Sequence, residues 1–176
     1  MWLAGWNAAA GDRPMPLTRD IVATYRGPGR VVRRLLAMGQ REDRALAFVM
    51  AACVLMFVAR WPALARESHL SGGDLNMAMG GTLLAVVFIL PLILYLLAGL
   101  SHLVARVFGG TGSYYGARLA LFWALLAATP LALLSGLVGG FIGPGPAQTV
   151  TGLAWSVAFL WFWGAGLTAA ERQGAA

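Results

Sequence analysis

Lysine is absent from this chain of 176 residues, cysteine occurs once, and acidic residues number only seven. A single cysteine excludes an internal disulfide, and because Cys53 lies in an apolar stretch it is interpreted as a small buried hydrophobe. With no lysine, the net charge of +6 comes wholly from arginine. Abundant Ala, Gly and Arg without Lys is typical of a GC-rich, bacterial genome. The N-terminus also lacks the basic start and continuous apolar run of a signal peptide.

Long apolar stretches with almost no charge dominate what is present, and 59% of the residues are hydrophobic. A helix needs about 20 apolar residues to cross the hydrocarbon core of a bilayer. Lipid offers no partner to unpaired backbone groups, so helices are the expected spanning structures. The sequence therefore predicts an all-α, polytopic transmembrane helical bundle. Its four spans are expected at residues 45–64, 77–104, 117–140 and 150–169.

Local signals refine two of these spans. Asp74 is a plausible N-cap for the second span. That span, at 28 residues, is longer than the bilayer core requires, so tilt or a kink at Pro91 must absorb the surplus. If it breaks into two segments near Pro91, the chain has five spans and its C-terminus moves to the other side. In the third span, Thr129 is placed to satisfy a carbonyl that Pro130 frees.

The distribution of arginine predicts the domain organisation and the orientation. We expect a disordered tail at 1–16, a basic amphipathic cytoplasmic segment at 17–44, the bundle at 45–170 and a short cytoplasmic tail at 171–176. Met15 is an alternative start, which would leave 1–14 untranslated. With both termini inside, eleven arginines lie on the cytoplasmic side and two outside. Because basic residues are enriched in cytoplasmic loops, this predicts a multi-pass protein of the cell inner membrane with a cytoplasmic N-terminus.

The basic segment carries the first candidate interaction surface. After a break at Gly27-Pro28-Gly29, apolar and arginine positions interleave at helical spacing, as in helices that lie in the plane of the interface. Basic residues near a membrane surface gain about 1 kcal/mol each from anionic lipid. We therefore expect membrane lipid or an acidic partner there, and no nucleic acid. The predicted surface consists of Arg26, Arg30, Arg33 and Arg34.

A row of small residues on the third span is the second candidate surface. Small residues at every fourth position let helix backbones approach closely, which matters because lipid supplies no hydrophobic drive between helices. The row predicts packing within the protein, self-association or association with other membrane proteins. Its members are Gly116, Ala120, Ala124, Ala128, Ala132, Gly136 and Gly140.

Ionisable groups inside lipid are costly and usually mark proton or ion paths. Here only His102, with Arg106 one turn later, approaches that role. The functional interpretation is a proton-sensitive or headgroup-binding site, and the simpler one is an interfacial histidine. The lack of acidic or basic residues at mid-span argues against an ion-coupled transporter.

No residue set predicts catalysis, a cofactor or a metal. Glu42 and Asp43 are adjacent, so their side chains diverge on a helix. His69 and His102 fall on opposite sides of the expected bilayer, which prevents a metal site. The glycine-rich stretch 109–112 lacks the lysine of a phosphate-binding loop. We expect a protein that is not an enzyme and has no cofactor.

The second loop and the third span resemble the Yip family of Rab-interacting membrane proteins. The resemblance rests on three segments: residues 109–116 (GGTGSYYG), the span that follows them up to Pro130-Leu131, and the Gly27-Pro28 turn before the first span. Bacterial members are similar in having a glycine-rich, aromatic loop that enters a span with a central proline. The resemblance covers roughly residues 20–165. It implies a helical bundle with a cytoplasmic N-terminus, a role in membrane organisation or trafficking, and no enzymatic activity, although the family usually has five spans.

These observations lead to an expected function in membrane organisation or trafficking through protein and lipid interactions. Rab partners are absent from bacteria, so the resemblance implies a fold before it implies a partner. Two alternatives remain open. One is an accessory subunit or assembly factor of a larger, energy-transducing membrane complex, and the other is a small transporter or lipid-moving protein.

Overall fold

A computed structural model describes residues 17–172, so the tail expected at 1–16 and the last four residues lie outside the described part. Within it the chain forms six helices and no strand. Four of the helices are long and apolar enough to cross a membrane, which confirms the all-α bundle with four spans. The helices are α1 (Leu17–Thr24), α2 (Pro28–Ala37), α3 (Glu42–Ser71), α4 (Leu75–Val107), α5 (Tyr114–Phe141) and α6 (Pro146–Arg172).

The four long helices run alternately up and down. We call the end that contains Glu42, Tyr114 and Arg172 the proximal end, and the opposite end the distal end. Helix α3 has 30 residues, about 45 Å at 1.5 Å per residue, which exceeds a hydrocarbon core of about 30 Å. It continues past Pro62 to Ser71, so the loop predicted from residue 65 was wrong for its first seven residues. Residues of high helix propensity continue the helix after Pro62. It ends at Gly72, which adopts φ +68°.

Helix α4 is one continuous segment and not two. Asp74 caps it as predicted, because its Oδ1 accepts from the backbone N–H of Asn76 at 2.8 Å. Midway, Leu84–Ile89 winds as a π-helix directly before Pro91. A proline removes one i→i−4 hydrogen bond, and a π-turn is a common way to accommodate such an interruption. The winding therefore changes beside Pro91, and the helix continues through the proline without a break.

Helix α5 is the centre of the bundle, and almost every side chain from Tyr115 to Thr129 is buried. It packs along both α3 and α6. Its internal Pro130 leaves the carbonyl of Leu126 without a backbone donor. The hydroxyl of Thr129 donates to that carbonyl at 2.7 Å, which confirms the role predicted from the sequence. The helix therefore keeps its hydrogen bonds satisfied through the proline.

The row of small residues on α5 packs inside the protein. A Cβ atom built on Gly136 would lie 1.8 Å from the carbonyl oxygen of Ala59, and one on Gly140 would lie 2.3 Å from Cβ of Pro62. At the other end of the row, a Cβ on Gly116 would lie 3.2 Å from Cβ of Ala170. Both α3 and α6 thus approach α5 at points where only small residues fit.

The row changes partner along its length because it is not parallel to the helix axis. Each step of four residues turns the row by about 40°, so its seven members cover much of the helix circumference. Gly116 and Ala120 face α6 and α2, whereas Gly136 and Gly140 face α3. Ala120, Ala124 and Ala128 are no more than 1% exposed. Packing within the protein, one of the options from the sequence, therefore accounts for this central part of the row.

The contact between α3 and α5 yields a contrast between two glycines. Gly136→Ala should lower the free energy of unfolding by about 3 kcal/mol, because the new methyl group meets a backbone carbonyl that cannot move alone. Gly80→Ala, at a helical position with open space around it, should be neutral or stabilise by up to about 1 kcal/mol through helix propensity. Unfolding in mild detergent measures both. Equal stabilities of the two variants would contradict the close approach.

Candidate functional site

Helices α1 and α2 form a hairpin that packs against the proximal half of the bundle. Val31, Val32 and Leu35 are at most 4% exposed, and α2 contacts both α6 and α5. Gly29 fits against α6, where a Cβ atom would lie 3.2 Å from the carbonyl oxygen of Ala165. The sequence pattern predicted an interfacial helix, whose apolar positions face lipid. That prediction was wrong for these three residues, because small residues of α6 leave a slot that protein fills instead.

Polar and aromatic contacts fix the hairpin turn. The indole Nε1 of Trp123 donates to Oγ1 of Thr24 at 3.0 Å, and that hydroxyl donates to the carbonyl of Asp20 at 2.7 Å. The ring of Tyr25 meets Phe162 edge-on, with centroids 4.9 Å apart. Burial raises the pKa of the Tyr25 hydroxyl above its ordinary value, so it stays neutral at physiological pH. The hairpin is therefore attached to both α5 and α6.

The arginines of the hairpin project from the side opposite to these contacts. Arg26, Arg30 and Arg34 line a depression of about 370 Å³. Arg34 forms an ion pair with Asp20 of α1, which compensates part of its charge. Within residues 17–172, no carboxylate pairs with Arg26, Arg30 or Arg33. The four predicted surface residues thus lie on one hairpin, and three of them retain an uncompensated charge.

Arg44 connects the hairpin to the first span. Its guanidinium donates to the carbonyls of Leu35 and Gly39 at 2.9 and 2.8 Å. Leu35 lies in the last turn of α2 and Gly39 follows the helix end, where a cation also complements the helix dipole. The same group lies 3.3 Å from the hydroxyl of Tyr115 in α5. Arg44 therefore has a structural role and does not extend the basic surface.

A second polar cluster joins α4, the glycine-rich loop and α6 at the proximal end. Nδ1 of His102 lies 2.9 Å from Oε1 of Glu171, and the backbone N–H of Gly112 donates to Oε2 of the same carboxylate at 2.9 Å. The side chains of His102 and Glu171 are only 13% and 8% exposed. Since an ionised carboxylate only accepts hydrogen bonds, Nδ1 of His102 is the donor.

The loop between α4 and α5 must be rich in glycine to reach this carboxylate. A Cβ on Gly110 would lie 2.6 Å from Oε2 of Glu171, and one on Gly112 would lie 2.7 Å from the carbonyl oxygen of Ala170. Thr111 adds a hydrogen bond from its hydroxyl to the Glu171 carbonyl at 3.2 Å. The loop is thus tied to the last turn of α6.

Comparison with known families adds to this picture of a buried hairpin, a glycine-rich loop and four spans. The model of the Yip1 domain matches residues 22–176, which is most of the chain and includes all of these features. The chain belongs to the Yip1 family. No curated protein and no solved structure gives a significant match. Membership agrees with a non-enzymatic membrane protein, since this is not a known enzyme family.

The structure of this Yip1-domain protein separates the two residues of the predicted polar site. His102 is held by Glu171, whereas Arg106 is exposed and forms no hydrogen bond or ion pair with any described residue. Glu171 was expected to begin a short C-terminal tail, but it lies in α6 and is buried. One signal pointed to it: Glu171 is the only acidic residue after Asp74.

The carboxylate of Glu171 is expected to keep the glycine-rich loop closed. Glu171→Ala leaves His102 and the N–H of Gly112 without a partner, at a cost of about 2 kcal/mol. Hydrogen exchange of the loop amides should therefore accelerate about thirtyfold. Glu171→Gln keeps an acceptor oxygen and should have a smaller effect. Glu67→Ala, at the distal end, serves as the control, and unchanged exchange in Glu171→Ala would contradict this role.

Proposed function

We propose that this Yip1-family protein acts without catalysis in membrane organisation or trafficking, through lipid and protein interactions of its N-terminal hairpin. One observation carries the proposal. Arg26, Arg30 and Arg33 project without a carboxylate partner from a hairpin that is firmly attached to the bundle. Three cations on an anchored hairpin form a surface for phosphate groups or for an acidic partner, because the hairpin backbone does not have to be ordered on binding.

The depth of the hairpin supports lipid headgroups as its first ligand. Gly29 contacts Ala165 and Ala169, and Ala165 lies seven residues before the end of α6. At 1.5 Å per residue this is about 10 Å from the proximal end of the helix. Long arginine side chains reach headgroup oxygens from such a depth while their stems remain beside apolar surface. The basic surface therefore has access to the phosphates of its own leaflet.

The count of arginines supports a cytoplasmic proximal end. The basic hairpin and Arg106, Arg118 and Arg172 all lie at this end, whereas Arg60 and Arg66 lie at the other. Basic residues near short loops favour the cytoplasmic side of a membrane. We propose an inner-membrane protein with both termini inside. The anionic lipids of the cytoplasmic leaflet would then face the hairpin directly.

Lipid dependence of the hairpin provides the main test. In nanodiscs of phosphatidylcholine, replacing 30% of the lipid by phosphatidylglycerol should slow hydrogen exchange in α1 and α2 of the full chain. At about 1 kcal/mol per arginine, the triple variant R26Q/R30Q/R33Q should lose about fivefold of this protection for each charge removed. High salt should likewise reduce the protection that phosphatidylglycerol gives to α1 and α2.

A matched variant distinguishes surface charge from a general effect of lipid. R60Q/R66Q removes two arginines from the distal end and should leave the exchange of α1 and α2 unchanged. Arg34 is left intact in all variants, since it pairs with Asp20. If the triple variant keeps its full response to phosphatidylglycerol, the hairpin does not bind anionic lipid.

The orientation is tested by labelling from one side. Met38 and Leu70 are both exposed, at the proximal and distal ends respectively. In intact cells, a membrane-impermeant thiol reagent should label Leu70→Cys and not Met38→Cys. Cys53 is fully buried and serves as the unlabelled background. Labelling of Met38→Cys alone would reverse the proposed topology.

A further inference from the structure

A groove opens between α3, α5 and α6 in the distal half of the bundle, on the side where the row of small residues leaves the most space. Its volume is about 300 Å³, at the lower end of the range for ligand sites. Its walls are mostly apolar. The residues that line its inner part are Met56, Ala59, Ala132, Gly136, Gly152 and Trp155.

A more polar cavity of about 540 Å³ lies next to the groove, toward the distal end. Arg60, Ala63 and Gln148 line both spaces, so the two adjoin along the bundle, and together we call them the channel. The distal part adds Arg66 and Glu67. One end of the channel is therefore apolar and the other carries two guanidinium groups.

The position along the helices matches the layers of a bilayer. Arg60 lies eighteen residues after Glu42 in α3, about 27 Å along the axis, and Arg66 lies about 9 Å farther. A hydrocarbon core is about 30 Å thick. With Glu42 at one boundary, Arg60 lies at the other and Arg66 lies among the headgroups. Met56 and Trp155 then lie at the depth of the acyl chains.

The polar groups of this channel have unused hydrogen-bonding capacity. Among the described residues, Arg60 forms no hydrogen bond or ion pair, and the only bond of Arg66 is a long one, 3.5 Å, to the carbonyl of Phe141. Glu67 is the one carboxylate in the lining, so the two arginines leave a net positive charge.

We propose that this channel binds a glycerophospholipid of the distal leaflet. Arg60 and Arg66 hold the phosphate, and one acyl chain lies in the apolar groove between α3 and α6. Two guanidinium groups provide the donors that phosphate oxygens accept. A soluble anion would satisfy the arginines and leave the apolar groove empty, whereas a lipid fills both parts. The site lies at the opposite end from the hairpin, so it does not depend on the hairpin's proposed function.

Native mass spectrometry of the full chain, released from nanodiscs of phosphatidylglycerol and phosphatidylcholine, tests the headgroup site. The wild type should retain one phosphatidylglycerol more tightly than the rest. R60Q/R66Q should weaken this retention by about fivefold for each arginine. R106Q/R172Q, which removes the same number of charges at the proximal end but outside the hairpin, should leave that tightest molecule in place. Equal retention in wild type and R60Q/R66Q would overturn the proposal.

A second pair of variants tests the acyl chain. Gly152 lines the groove and has only a distant neighbour, Oγ of Ser135 at 4.0 Å, so Gly152→Leu should fill the groove without a clash. Gly164→Leu adds the same side chain to the same helix at an exposed position with open space. Gly152→Leu should reduce lipid retention at least fivefold, and Gly164→Leu should not.

Soluble glycerol 3-phosphate separates a lipid site from a simple anion site. If the proposal holds, millimolar glycerol 3-phosphate should not displace the retained lipid. Displacement, or equal retention by Gly152→Leu and Gly164→Leu, would show that the acyl groove does not contribute and would overturn the lipid assignment. Thermal unfolding of each variant in detergent establishes that it is folded. If R60Q/R66Q is unfolded, R60K/R66K takes its place. The lipid retention of R60K/R66K should then fall less than that of Gly152→Leu.

Discussion

The bundle depends on the close approach of helix backbones, because lipid supplies no hydrophobic drive between helices. Gly136 and Gly140 admit the backbone of α3, and Gly116 and Ala120 admit α6 and the hairpin. In lipid, contacts of this kind hold the helices together in place of the hydrophobic effect that acts in water. Because the row of small residues turns around α5, one helix holds two neighbours. Every interaction surface of the protein is positioned by that central helix.

The hairpin and the distal channel are two consequences of this arrangement. At the proximal end, small residues of α6 leave a slot that the apolar side of α2 fills, which turns Arg26, Arg30 and Arg33 outward. At the distal end no further element of residues 17–172 fills the space between α3 and α6, and a channel with Arg60 and Arg66 remains. Basic groups therefore stand at both boundaries of the apolar core, each beside a site that suits a phosphate.

Local sequence signals predicted those features that depend on neighbouring residues. The cap at Asp74 and the hydrogen bond of Thr129 beside Pro130 both involve partners within four residues. The bond between His102 and Glu171 was not predicted, because 69 residues separate them and they meet only because α4 and α6 both pack on α5. The helices that cover the row of small residues were not predicted either. A pattern shows which residues are small, but it does not show which helix covers them.

The amino-acid sequence by itself determined the apolar stretches, the all-α class, the Yip-like character and the asymmetric charge. Because lipid offers no hydrogen-bond partner to unpaired backbone groups, a chain of this composition forms helices. Tertiary structure decided which side of α2 is covered, which carboxylate holds His102 and where a channel stays open. These depend on the relative rotation and depth of helices distant in sequence, and such quantities arise from the fit of whole surfaces rather than from any local pattern.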